Sequence, residues 1–442
     1  MSARRKRALP AEPVFAHPES LAHDGRGVAH VEAKAVFIDG ALPGEAVEFL
    51  YTARGRKHDE GRVSSILEPS SDRVEPRCLH AAICGGCSLQ HLAPKAQIEA
   101  KQQILINSLE RIGGVRPETL LEPLTGAVWG YRHKARLGVK HVLKKGKVLV
   151  GFREKSSSYL AELSRCEVLH PSVGTRLSDL RGLIQELSIS ARIPQIEVAI
   201  GDQAGALIFR VLDMPTERDI ERLRGFARHY NLHLYLQPKG PDSVSLLWPE
   251  ASDLSYSLPA YGLELGFLPM DFTQINPEIN RRMIDQALRL LAPGPNDSVL
   301  DLFCGLGNFT LPLARQAGQV TGIEGDAGLV ERARQNARRN GIGNAAFQVA
   351  NLAELTGQEP WLHESCDKLL IDPPRSGAAA LIPQLGRLAA KSLVYVSCHP
   401  GSLARDAGML VSEAGYRLVA AGVMDMFPHT AHVESMALFE RR

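Results

Sequence analysis

The stretch Ser298-Val299-Leu300-Asp301-Leu302-Phe303-Cys304-Gly305-Leu306-Gly307-Asn308 decides the fold. Its apolar run reads as a strand buried on both faces, and Gly305-x-Gly307 behind it reads as a turn into a helix. The next run, Val320-Thr321-Gly322-Ile323-Glu324, ends in an acid 17 residues after Gly307. Two further strands follow at helix-length spacing: Lys368-Leu369-Leu370-Ile371 ahead of Asp372-Pro373-Pro374-Arg375, and Leu393-Val394-Tyr395-Val396-Ser397 ahead of Cys398-His399-Pro400. Strand and helix alternating in this way predict a doubly wound α/β sheet over residues 266 to 442. Ligands of such sheets bind outside the carboxyl ends of the strands, where Glu324, Asp372 and Cys398 fall.

The glycine turn is not a dinucleotide fingerprint, because the third glycine position is Thr310 and pyrophosphate has no cradle. The acid after the second strand is placed to accept hydrogen bonds from ribose hydroxyls. A glycine turn and an acid without pyrophosphate chemistry point to S-adenosylmethionine (SAM). A thiol at a strand end, stopped by Pro400, then reads as a nucleophile beside that cofactor. The bland alternative is a buried cysteine acting as a small hydrophobe, the role expected of Cys304 and Cys366.

A chain of 442 residues has room for two or three domains. With 44% hydrophobic residues, no run of bilayer length and no apolar signal core near the start, it is expected to be cytoplasmic, with no membrane partner. Seven cysteines then favour metal ligation or catalysis over disulfides. The formal charge of +2 conceals an asymmetry: residues 1–165 hold 26 Lys and Arg against 18 Asp and Glu, and the remainder 25 against 31. The positive half is the one suited to a polyanion.

Residues 1–14 read as a basic disordered arm carrying Arg4, Arg5, Lys6 and Arg7. Short, evenly spaced apolar runs over 15–70 predict a small β-barrel, with Arg54, Arg56 and Lys57 in a turn. A central α+β domain is expected over 71–265. It opens with Cys78, Cys84, Gly85, Gly86 and Cys87, and Cys166 stands alone downstream. Three thiols within ten residues, with glycines between, signal ligation. A tight trio plus one remote thiol suits a [4Fe-4S] cubane, which needs one ligand per iron, better than zinc. Residues 94–112 have helical periodicity and are expected to pack on the catalytic domain. A strand over 131–139 would project Arg132, Lys134 and Arg136 from one face as a row of cations for RNA phosphates.

Taken together, "HDGRGVAH", "VFIDGALPGEAVEF", the cysteine trio, "DFTQINPEIN", "LDLFCGLGNFTLPLA", "GIEGD", "IDPPRSG", "VYVSCHP" and "DMFPHTAHVESMALFER" resemble the RNA (uracil-5-)-methyltransferase family. The match is to its iron–sulfur 23S ribosomal RNA branch, which carries an N-terminal TRAM barrel of the oligonucleotide-binding type. tRNA-directed members typically lack both N-terminal features. The resemblance implies a Rossmann-like SAM-dependent methyltransferase that acts on carbon 5 of the 23S rRNA uridine conventionally numbered 1939. It implies SAM contact by Gln274, Phe303, Asn308, Glu324, Asn351 and Asp372, and cluster ligation by Cys78, Cys84, Cys87 and Cys166. Cys398 would be the nucleophile and Glu434 the base. His399 departs from relatives that carry Asn there. Action before full ribosome assembly, as a monomer, is expected. Alternatives are the rRNA uridine numbered 747, the tRNA T-loop uridine, or radical-SAM chemistry, which the fourth thiol disfavours.

Overall fold

A computed structural model of the chain describes residues 9–388 and 390–442; Arg4, Arg5, Lys6 and Arg7 of the basic arm lie outside the described residues. The catalytic half is built on an eight-stranded sheet. In spatial order its strands are Ala345–Val349, Gln319–Glu324, Ser298–Leu302, Lys368–Ile371, Ser392–Ser397, Glu434–Arg441, Tyr416–Met424 and Thr119–Leu120. The first five run parallel, and Glu434–Arg441 lies antiparallel beside the fifth. The chain crosses from one side of Ser298–Leu302 to the other between its third and fourth strands, so the switch-point crevice opens between Ser298–Leu302 and Lys368–Ile371.

Period-two alternation divides each central strand between two cores. Val299, Leu370, Val394 and Val396 face one layer with the helices Pro277–Leu291 and Ala327–Arg339. Leu300, Leu302, Leu369, Ile371, Leu393 and Tyr395 face the other, which holds the helices Ile382–Leu388 and Pro400–Ser412. Apolar residues at every strand position are what a sheet covered on both faces requires. The helix Pro94–Ser108 belongs to this second layer through Ile98 and Leu105, and the short strand Thr119–Leu120 closes the sheet edge. The segment after the cysteine trio is therefore woven into the catalytic half.

Residues 14–68 form a curled six-stranded sheet around Val36, Ile38, Val47 and Phe49. Its buried Glu45 is held by Arg73 at 2.5 Å, which ties the barrel to the segment that follows. A second six-stranded sheet spans 134–248, covered by the helices Leu177–Glu186 and Glu217–Tyr230. No described helix is long and apolar enough to cross a membrane.

Candidate active site

Because the five parallel strands point the same way, the residues that follow them share one edge. Phe303 follows the first, Glu324 ends the second, Asn351 lies just beyond the third, Asp372 follows the fourth and Cys398 the fifth. Phe303 sits at φ 65°, in the left-handed region, and Gly305 and Gly307 at 55° and 96°. A bulky residue held there costs on the order of 1–3 kcal/mol, and such strain collects where backbone must turn toward a ligand. Glu324 fastens the turn, accepting from Gly305 N at 3.1 Å and from Asp326 N at 3.0 Å, one bond per carboxylate oxygen. Each oxygen keeps a lone pair for hydroxyl donors.

Asn308 is pinned from behind. Its Oδ1 accepts from Tyr256 Oη at 2.8 Å and from Asn280 Nδ2 at 3.0 Å, while its Nδ2 donates to Asn280 Oδ1 at 2.9 Å. Asn351 caps its own turn through Ala353 N, and Gln274 is half-buried in the connection before the helix Pro277–Leu291. Sequence reasoning passed over Asp301. It is fully buried, with Oδ2 bound by Thr310 Oγ1 at 2.6 Å and Oδ1 without a partner. Burial, with the charges of Asp372 and Glu324, pushes its carboxyl up to about 8. A buried acceptor left open under a glycine turn calls for an ammonium or N–H donor, and the amino group of SAM is one. The residues fit that cofactor.

Cys398 stands at the bend between strand and helix. Ser397 Oγ donates to His399 O at 3.1 Å and accepts from His399 N at 3.2 Å, a local turn that holds the thiol outward. His399 caps the helix Pro400–Ser412, its Nδ1 accepting from Ser402 N at 3.1 Å. Asn is a strong cap at such a position, so the departure of His399 from relatives preserves the local job. Ser397 pairs with Ser435 across the antiparallel strands; one residue further, the register sets Cys398 against Glu434.

A cavity of about 400 Å³ opens over Cys398, lined also by Arg132, Arg375, Thr430, His432 and Gly86 among others, and it reaches Val433, next to the buried Glu434. It is large enough for one nucleotide. Burial pushes Glu434 up to about 8, helped by the charge of Asp372 and opposed by Arg375 and Lys101. Burial likewise raises Cys398 to about 11, with Glu434 and Asp372 adding to it and Arg375 opposing. Burial alone brings Asp372 to about 7. Arg375 and Lys101 were not singled out in the sequence. The first was legible as the residue closing "DPPR"; nothing marked the second.

The four cysteines of the expected cluster set, Cys78, Cys84, Cys87 and Cys166, line one small enclosed cavity with Arg132 and Phe152. Burial first, then their mutual charge, raises Cys87 to about 12 and Cys166 to about 11. Gly86 packs close to both Phe152 and Cys84: a Cβ there would stand 3.3 Å from the Phe152 ring and 3.4 Å from Cys84 Sγ. Among the described residues no group of three or more His, Cys, Asp or Glu side chains converges on a single metal ion.

The expected row of cations does not form. The strand starts at Lys134, not 131, and Lys134 Nζ turns inward to Pro269 O and Asp271 O, both at 2.8 Å. Its burial lowers the ammonium to about 8. Arg136 is exposed but paired with Glu197 at 3.0 Å. Arg132 lies before the strand, between the cysteine cavity and the catalytic one.

The strand order, the glycine turn and the acid behind it define a SAM-dependent methyltransferase. Residues 263–442 match the family model described as tRNA (Uracil-5-)-methyltransferase. The chain is 55% identical over 439 residues, 99% of each chain, to the 23S rRNA (uracil(1939)-C(5))-methyltransferase RlmD of Alkalilimnicola ehrlichii, and 53% identical over 438 residues, again 99% of each, to that of Methylococcus capsulatus. The solved Pyrococcus abyssi tRNA (uracil-54, C5)-methyltransferase, in complex with S-adenosyl-L-homocysteine, superimposes with a TM-score of 0.73, covering 96% of this chain and all of its own at 24% identity. The chain belongs to the RNA (uracil-5-)-methyltransferase family.

Proposed function

We propose that this protein transfers a methyl group from SAM to carbon 5 of a uridine in 23S rRNA, at the position numbered 1939 in the names of its full-length relatives. The observation that carries the chemistry is the strand register, which brings Glu434 opposite Cys398, whose thiol lines a nucleotide-sized cavity. Carbon 5 of uracil is too weak a nucleophile to be alkylated unaided. Cys398 releases its proton to solvent through the open cavity and its Sγ bonds to carbon 6, which turns the ring into an enolate nucleophilic at carbon 5. The cofactor, held by Phe303, Asn308, Glu324, Asn351, Gln274 and Asp372, supplies the electrophilic methyl group. Glu434 then takes the remaining proton from carbon 5; that electron pair forms the 5,6 double bond, and the Sγ–C6 pair leaves with Cys398. The buried, proton-hungry state of Glu434 suits this second step, because a carboxylate titrating near 8 is a far stronger base than one titrating at 4.5.

The four-thiol cavity supports ligation by Cys78, Cys84, Cys87 and Cys166 of a [4Fe-4S] cluster. Four thiols around one small space match a cubane's need for one ligand per iron. Methyl transfer needs no electron, so the group's contribution is a brace: Gly85, Gly86 and Ser88 beside the ligands also form the cavity wall around Cys398. The barrel at 14–68 is read as a TRAM domain. For RNA phosphates the surface that replaces the Arg132–Lys134–Arg136 row is a groove holding Lys140, Lys144 and Arg153, which have no carboxylate partner among the described residues, with exposed Tyr159 available for stacking.

The test is 5-methyluridine mapping on RNA from a strain lacking this protein, complemented in trans. Loss and restoration at 23S rRNA uridine 1939 are expected. An unmodified T-loop uridine in tRNA with normal 23S rRNA would overturn the substrate assignment, and 5′-deoxyadenosine among the products would overturn the reaction.

A further inference from the structure

Lys101 is 1% exposed, yet it sits on the helix Pro94–Ser108, outside the catalytic domain boundary drawn from sequence. A fully buried lysine is rare, and removing an ammonium from water is costly unless it is paired. Its Nζ donates to Asp425 Oδ1 at 2.7 Å and to Phe427 O at 3.0 Å. Asp425 directly follows Met424, which pairs with Glu434 across the hairpin, so Lys101 closes the mouth of the loop 425–433. Thr430, Ala431, His432 and Val433 of that loop line the cavity over Cys398.

The same helix face grips the loop again one turn earlier. Gln97 Oε1 accepts from His429 N at 2.8 Å, while its Nε2 donates to Leu89 O and Leu92 O at 3.0 and 2.7 Å. Tyr131 Oη donates to Pro428 O at 2.9 Å. Buried partners of this kind fix a loop only while all are present, because each lost partner leaves an unsatisfied polar group.

Charges reach Glu434 from every side. Asp372 and Arg375 come from beyond the fourth strand, Cys398 from the fifth, Lys101 from the helix Pro94–Ser108 with Asp425 as its partner, and His432 sits in the loop beside Arg375. Of the two cations, Arg375 lies at the exposed cavity lip and Lys101 is sealed beneath.

We propose that Lys101 is a positioning residue for Glu434: it fixes the 425–433 loop through Asp425 and provides the buried positive charge against which the carboxylate ionises before taking the carbon 5 proton. The inference rests on the reading of Glu434 as the base.

The experiment measures single-turnover methylation of a 23S rRNA transcript against pH, with denaturing gels for covalent protein–RNA adduct, using the full chain. In Lys101→Met the ascending limb moves up by about one pH unit and methylated adduct accumulates, because Glu434 ionises less readily. In Asp425→Asn the hydrogen-bond acceptor stays but the counter-charge is gone; Lys101 then acts on Glu434 unopposed, and the limb moves down. Lys101→Arg, which keeps the charge, restores the wild-type limb. A purely structural role would weaken both variants without moving the limb in opposite directions. Limbs that coincide with wild type in both, or shift the same way, overturn the proposal. Should Lys101→Met fail to fold, as judged by circular dichroism, Asp425→Asn decides alone: a limb unmoved or raised overturns it. Glu434→Gln is the control. If that variant forms no adduct and turns over normally, the base assignment falls, a different failure from this one.

Discussion

Two sets of thiols in this chain are pushed upward by burial, Cys398 to about 11 and Cys87 to about 12, and their surroundings give them different fates. Around Cys87 a hydrogen bond with Gln90 opposes the rise, and the remaining contributors are thiols, Cys166, Cys84 and Cys78, in a closed cavity where each ionisation opposes the next. In the proposed reading a metal centre would relieve such a set, deprotonating the ligands and supplying the missing positive charge. Around Cys398 the other contributors are carboxylates and one arginine, in a cavity open to a nucleotide. That thiol also sits just before a helix N-terminus, which favours thiolate. In the proposed reading, acids and an open pocket suit the first thiol to a nucleophile's part, and thiol neighbours suit the second to a ligand's.

The sharpest way to break the comparison is to remove one sulfur from each set. Cys398→Ala should lower methylation by roughly a thousandfold or more while leaving iron and acid-labile sulfide near about four per chain; full activity would sink the covalent route. Cys87→Ala should do the reverse in kind: loss of iron and sulfide, a lower Tm, and an activity loss that follows the damaged cavity wall. Stoichiometric zinc in the wild-type protein would reverse the metal assignment.

Glu434→Gln should trap a denaturant-resistant RNA adduct, and it carries a stability signature with a fixed sign. The folded carboxyl is raised from 4.5 to about 8, so the folded state holds a proton the unfolded chain has lost. Its contribution is fully present below about 4.5 and is lost as pH rises through 8. The Gln variant should therefore gain Tm relative to wild type as pH goes from 5 to 9, which thermal melts at both pH values will read. Smaller effects are expected at the periphery. Lys140→Glu with Lys144→Glu should raise KM several-fold, leave kcat intact and flatten the salt dependence of RNA binding by about two charges. His399→Asn should change rate and Tm little, whereas His399→Ala should lose about 1 kcal/mol of helix capping.

Much of the catalytic edge was legible because the parallel strands announce themselves as apolar runs with polar ends. Asp372 and Cys398 needed only that pattern to fall on one edge. The failure at Lys134 is equally instructive. Period two assigned it a face, but it could not reveal that two carbonyls, of Pro269 and Asp271, wait behind that face to take its ammonium. Asp301 was hidden inside a run read as merely apolar, and Lys101 inside a helix expected to pack on the catalytic domain but with no residue marked as reaching the site.

By itself the sequence determined which chemistry this chain can hold: a doubly wound sheet, a glycine turn and acid for SAM, a thiol at a strand end, and four further thiols in ligand spacing. These are local, since strand period, turn glycines and capping act over a few residues. The tertiary structure alone decided that Cys398 stands opposite Glu434, that the four thiols share a cavity, and that Lys101 is buried against Asp425. Those are contacts across 36, 79 to 88 and more than 300 residues respectively. Register and burial create them, and neither exists until the sheet has closed and water has been excluded.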